Sequence, residues 1–219
     1  MRFFQIKIAL ISILLSCSFI SSYAQLIQVL PVDDALKDNS LSTFRDKLLI
    51  AAIEQDTTFV YSVVDSNVFN GFGGDRGIDC FKAYWRKWGL RIGIINALKL
   101  GGTLSDDRRV FSVPYIWEQF PEEYDSFANA VIIGSNVSVR KKPKLNSDKI
   151  IQVSYNIVKI NDWSKLYDSD SGLNWIKVEL DSGGTGYICD KYIRSHIDHR
   201  IFFEKRGNKW FLTSWAAGD

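Results

Sequence analysis

Cys80, Cys189, His196, His199 and a glycine-rich loop at 70–77 are the groups in this 219-residue chain whose types and spacing could do chemistry. His196 and His199 stand three apart, which on a helix would turn both imidazoles to one face, where a metal can be held. No third ligand stands near them in sequence, and Asp198 between them reads as part of a linker. The loop from Asn70 to Gly77 offers backbone N–H groups to a phosphate. It lacks the Gly-Lys-Ser/Thr ending of such cradles, however, and its glycines have the wrong spacing for a dinucleotide. It reads as a tight turn between helices. Asp65, Asn67 and Asp75 suggest calcium, yet an EF-hand loop starting at Asp65 would place Asn70 and Arg76 where glycine and glutamate are required. No metal and no cofactor are expected.

Cys80 and Cys189 can form one disulfide in an oxidising compartment, tying the first half of the chain to the second. The alternative is two buried free thiols, since Cys80 falls in an aromatic helical segment and Cys189 just after a strand. Lys and Arg number 27 against 25 Asp and Glu. Residues 1–24 hold only Arg2 and Lys7, so the rest of the chain carries 25 of each. A balance so close to zero gives no long-range attraction to a polyanion, and the cluster Arg140, Lys141, Lys142 and Lys144 reads as a solvated loop face. Nucleic acid is not an expected partner.

The elements that position these groups begin after an address. Arg2 and Lys7 precede an apolar run from Ile8 to Ile20, and Ser22, Tyr23 and Ala24 offer small residues at cleavage positions, the pattern of a secretory signal peptide cleaved after Ala24. The run is short of the roughly 20 residues of a spanning helix. A lipoprotein signal acylated at Cys17 in Leu14-Leu-Ser-Cys17 is the competing reading. The expected location is periplasmic or secreted, with no transmembrane segment after cleavage. A polar lead occupies 25–39. Leu41, Phe44, Leu48, Ala51 and Ala52 then recur at helical spacing behind Ser40 or Ser42 as N-cap. Asp56 caps a second helix over Thr57–Val64, and 78–88 and 92–100 continue at helical period, the last stopped by Gly101 and Gly102. Residues 110–117 are extended and aromatic, and 120–125 form a link into the second half of the chain.

From Val131 to Ile193 the period changes to two. Val137 and Val139 alternate with Ser138 and Arg140, and Pro143 with the polar cluster after it ends that strand. Residues 150–160 read as two strands joined near Tyr155 and Asn156, residues 175–180 alternate again, and Gly183-Gly184 supplies a hairpin before Gly186-Tyr-Ile188. Short strands at this spacing argue a small closed barrel. Beyond it, 200–205 and 210–215 are two alternating runs around Arg206-Gly-Asn-Lys209, a hairpin that either caps the barrel or pairs with the first half.

The run Gly134-Ser-Asn-Val-Ser-Val-Arg140-Lys-Lys-Pro143, with Trp175-Ile-Lys-Val178, Thr185-Gly-Tyr-Ile188 and Tyr192-Ile193, resembles the bacterial SH3 (SH3b) family. The resemblance implies a binding module whose groove would use Asn136, Arg140, Tyr155, Trp163, Trp175, Tyr187 and Tyr192. Core packing is the competing role for each aromatic, and Trp163, in a polar loop after Asn161 and Asp162, is the better candidate for an exposed anchor. SH3b modules accompany papain-like cell-wall peptidases, and Ile78-Asp-Cys80-Phe81 superficially resembles the Asp-Cys-Ser-Gly start of those enzymes. Phe81 and Lys82 replace its small residues, and the only histidines lie beyond the module. The first half also resembles, more weakly, the opening of NTF2-like folds, but the long alternating strands of that fold are not evident after Gly89.

The expected fold class is therefore α+β: a mostly helical N-terminal domain over 40–128, an SH3-like β-barrel over 129–195 and a C-terminal β-hairpin over 196–219. The expected function is that of an exported noncatalytic protein binding a cell-envelope peptide, glycan or protein. A structural spacer or oligomerisation module is the alternative, and a divergent cell-wall hydrolase a third reading.

Overall fold

The computed structural model describes residues 27–87, 89–180 and 183–218; the stretch 1–24 expected to be a signal peptide, with Cys17, lies outside them. Asp38 accepts from the backbone N–H groups of Ser40 and Leu41 and caps α1 (Asn39–Glu54), in place of the serines expected to do so. Lys205 reaches the same carboxylate at 2.7 Å, and with Ser40 holds Asp38 well below the usual carboxylate range. Asp56 caps α2 (Thr57–Ser62) through the Phe59 N–H.

The chain then enters a strand, β1 (Val64–Asn70), where the sequence pattern points to a helix and a loop. After it come α3 (Ile78–Lys87), α4 (Leu90–Lys99), β2 (Thr103–Leu104), β3 (Val110–Val113) and the short α5 (Ile116–Gln119). The second region holds β4 (Asn129–Ile132), β5 (Val137–Arg140), β6 (Lys149–Val153), β7 (Ile157–Lys159), β8 (Leu166–Asp168), β9 (Leu173–Glu179), β10 (Thr185–Cys189) and β11 (Ile193–Ser195). The tail forms β12 (Arg200–Arg206) and β13 (Lys209–Ala216). Among the described residues that makes thirteen strands in two sheets against five α-helices. The expectation of a mostly helical N-terminal domain is thereby overturned.

The physical reason lies in pairing over long sequence distance. The first sheet runs β1-β13-β12-β3-β2, so the tail hairpin supplies its two central strands. β1 pairs parallel with β13 through Val64↔Leu212 and Asn70↔Trp215, and β12 pairs antiparallel with β3 through Ile201↔Val113. Asp65 and Asn67 are poor strand formers, and β1 is a strand because of partners that no local window contains. Helices α1, α3 and α4 bury Leu41, Leu48, Phe81, Trp85, Ile94 and Leu98 with Phe111, Phe203 and Leu212 of the sheet. Phe203 sits at the centre, edge-on to Phe44 at 5.4 Å and stacked with Phe111 at 6.2 Å.

The second sheet runs β11-β4-β7-β9-β10-β5-β6, with β8 paired to β9. Its inward residues, including Ala130, Val139, Val158, Ile176, Val178, Ile188 and Ile193, form one core to which no helix contributes among the described residues. A sheet with no covering layer must wrap around its own side chains. Gly186 permits the tightest approach: a Cβ there would strike the Val139 side chain on β5.

This second unit is inserted between β3 and β12. Its first and last strands are neighbours, Ala130 pairing with Ser195, just as Val113 and Ile201 are neighbours in the host sheet. Between the two pairs the connections are zipped by a stack in which His196 lies 4.8 Å from Trp117 and 4.7 Å from Phe120, nearly parallel to both. The described part of the expected polar lead is a mostly exposed strap anchored by buried Val29, Asp34 and Ala35. Val29 N–H donates to the Tyr155 carbonyl at 2.8 Å, and Val29 packs with Tyr115, Ile116, Phe120, Val131 and Ile157 in a third core joining the units.

Phe203→Ala should cost about 3–5 kcal/mol in urea denaturation, because a fully buried ring shared by helices and sheet is lost. His196 yields a pH prediction. Its Nε2 faces the Trp117 carbonyl at 3.1 Å and must carry the proton, while Nδ1 lies 3.0 Å from Ser126 Oγ. Burial first, and then the Arg200 charge, hold it below the ordinary histidine value against the opposing Trp117 hydrogen bond. The unfolded chain, titrating near about 6.5, takes up the proton first as pH falls. Stability therefore drops between that value and the lower folded one, then levels. Melting temperature should fall from about pH 7.5 to about pH 5.5, and His196→Phe, which keeps a flat ring in the stack, should flatten the fall; an unchanged slope would refute the assignment.

Candidate functional site

Alternation along β5, β9 and β10 sends one set of side chains into the wrapped core and the other to the outer face. Val137 and Val139 point inward, so Asn136, Ser138 and Arg140 share the outside. On β9, Ile176 and Val178 are core, which puts Leu173 and Trp175 outward, and register pairs Trp175 with Cys189 of β10 and Leu166 of β8. A 3-10 turn, Asp190–Tyr192, then brings Lys191 and Tyr192 over the same face.

These side chains enclose a pocket of about 240 Å³ lined by Asn136, Ser138, Arg140, Leu145, Leu173, Trp175, Lys191 and Tyr192, with Cys189 beside Trp175. Trp175 is buried at 2% exposure, and its indole Nε1 has no acceptor among the described residues. A buried donor without a partner costs about 1–3 kcal/mol. Arg140 donates to the Ser147 carbonyl at 2.7 Å, which steadies the long loop between β5 and β6. Lys191 Nζ stands 4.8 Å above the Tyr192 ring, and Tyr192 remains 39% exposed. No carboxylate lines the pocket among the described residues. Donors and cations beside an apolar floor suit a ligand that offers carbonyl or carboxylate oxygens and one apolar group.

Of the seven residues expected at a groove, the structure brings Asn136, Arg140, Trp175 and Tyr192 together. Tyr187 is on the same outer face, paired with Arg140 and Lys177, but does not line the pocket. Tyr155 stands apart at a positive φ of 58°, its carbonyl holding the Val29 strap. Trp163 is 39% exposed, donates to the Phe127 carbonyl at 3.4 Å, and borders a different cleft, between this unit and α4. Sequence reasoning missed Ser138, Leu145, Leu173 and Lys191; for Ser138 the signal was its alternation with Val137 and Val139, for Lys191 its place beside Tyr192, and for the leucines there was none.

The chemistry considered for the cysteines and histidines takes this form. Cys80 and Cys189 are both free thiols, and Cys189 is buried. Both ring nitrogens of His196 are engaged, and His199 Nδ1 lies 3.1 Å from Asp198. Among the described residues no group of three potential metal ligands converges, and no helix is long and apolar enough to cross a membrane. No protein-family model matches this chain, and none of the curated proteins matches it.

Trp175→Phe removes the orphan donor and keeps most of the ring, so it should change stability by less than about 1.5 kcal/mol in denaturant unfolding. Trp175→Ala should cost about 3–5 kcal/mol. Equal losses for the two variants would mean that Nε1 has a strong partner in solution.

Proposed function

We propose that this chain is an exported, noncatalytic binding protein whose inserted β-unit, an SH3b-like module, recognises a peptide, glycan or protein of the cell envelope. The observation that carries the reading is the convergence of Asn136, Arg140, Trp175 and Tyr192 on one pocket. At about 240 Å³ it takes a single residue or sugar rather than a polymer, so a longer partner would lie across the outer face and insert one group. The signal-like pattern at 1–24 and the balanced charge of the residues after it support an envelope partner over a nucleic acid.

A second reading, a structural spacer, has one observation in its favour. The third core clamps the inserted unit to its host through Val29, Tyr115, Ile116 and Phe120, which suits a rigid arm as well as a receptor.

The experiment is co-sedimentation of the purified chain with isolated peptidoglycan, together with capture of solubilised envelope proteins. Tyr192→Ala should weaken binding by about 2 kcal/mol or more with an unchanged melting temperature, since the ring is partly exposed. Failure of the wild-type chain to bind either material, or equal binding by the variant, would leave the spacer reading standing.

A further inference from the structure

A larger hollow lies between α4 of the host and the inserted unit, and it shares only Lys191 with the lining of the outer-face pocket. It has a volume of about 800 Å³, within the range of small-ligand sites. Its cations are Lys99, Lys165, Lys191 and Arg194, and its carboxylates Asp190 and Asp198. Asp190 is engaged by Lys165 at 2.9 Å, and Asp198 lies 3.6 Å from Arg194 and 3.1 Å from His199. Lys99 and Lys191 are left with no carboxylate partner among the described residues.

Arg194 is the less ordinary member. It is only 7% exposed, carried on β11 where that edge faces the host. One guanidinium nitrogen donates to the His199 carbonyl at 2.5 Å, while Nε has no partner among the described residues. A guanidinium has five donors, and burying one so incompletely satisfied is unfavourable unless something else completes it. Leu100, Ile133, Ile193 and Ile197, with the Trp163 ring at the rim, make the rest of the wall mostly apolar. Low-dielectric walls strengthen the field of the two cations in surplus among the described residues.

We propose that this cleft is a second binding site, separate from the pocket on the outer face, for a carboxylate-bearing ligand of short-peptide size with an apolar side chain. The carboxylate meets Lys99, Lys191 and Arg194, and the apolar part lies against the isoleucines and Trp163. Because the walls come from both units, occupancy also braces the inserted unit against α4. Lys99 in the last turn of α4 has a purely local reason to be there, since cations are favoured at a helix C-terminus; the test separates the two roles.

The full chain is titrated with N-acetyl-leucyl-glutamate, with its diamide and with inorganic phosphate, and followed by heteronuclear NMR that includes the Arg194 Nε–H. The dipeptide should shift Asn96, Ser195 and the Arg194 Nε–H, and the diamide should not. Lys99→Gln, at an exposed position that leaves the fold intact, should weaken the dipeptide about fivefold. Leu145→Ala, at an exposed position that lines the outer-face pocket and not the cleft, should leave the titration unchanged, so the failure of one site is distinguishable from failure of the other. Equal shifts from dipeptide and diamide, no shift at these resonances, or phosphate alone reproducing them would each overturn the proposal.

Discussion

Two pairs of neighbouring strand ends, Val113 beside Ile201 in the host and Ala130 beside Ser195 in the inserted unit, are the constraint on which the rest of the structure depends. An insertion is compatible with a continuous host sheet only if guest and host each present their ends side by side. Here both do. The two connections then run together and are fixed by the Trp117–His196–Phe120 stack, so the inserted unit is set against α4 at a defined place. The interlobe cleft exists because of that placement, and the strap at Val29 closes the junction from the opposite end of the chain.

Charges at long sequence distance fasten the host in the same way. Lys205 of β12 binds the residue that caps α1, and Arg206 binds Asp65 of β1. Exposed pairs of this kind contribute little, about 0–1 kcal/mol. The Lys205–Asp38 pair is less exposed and acts on a helix terminus that already needs an acceptor, so one carboxylate satisfies the helix and locates the hairpin. Trp210 adds a hydrogen bond from its indole to Ser40 at 3.1 Å.

What could be read from the sequence depended on how local its cause was. Asp56 as a cap, the period-two run through Val137 and Val139, and the hairpin at Arg206–Lys209 all rest on residues within a few positions of one another, and each is where the local pattern put it. β1 could not be read, because Asp65 and Asn67 argue against a strand and its partner is the tail. The insertion was hidden for the same reason: the two central strands of the host sheet lie beyond residue 199. At the site, resemblance supplied all seven expected residues; Asn136, Arg140, Trp175 and Tyr192 meet at the pocket, while Tyr155, Trp163 and Tyr187 do not line it, because a resemblance in sequence does not fix which loops converge. Nothing in Tyr192-Ile-Arg194-Ser195 marks Arg194 as a buried charge. Its partners, Asp198 and the His199 carbonyl, are local, but the cleft it lines is closed by α4 from another part of the chain.

The insertion also imposes an order of events on the growing chain. The inserted unit is contiguous, and even its most distant pairing, Ala130 with Ser195, lies within its own residues, so it can form as soon as they are available. The host cannot. Its helices and β1 to β3 are made first, yet the two strands at the centre of its sheet come last, leaving the facing edges of β1 and β3 without partners for most of synthesis. Such edges pair readily with other chains. A folded insert shortens that interval by bringing Val113 and Ile201 within reach of each other, so the unit acts as an internal splint for its host.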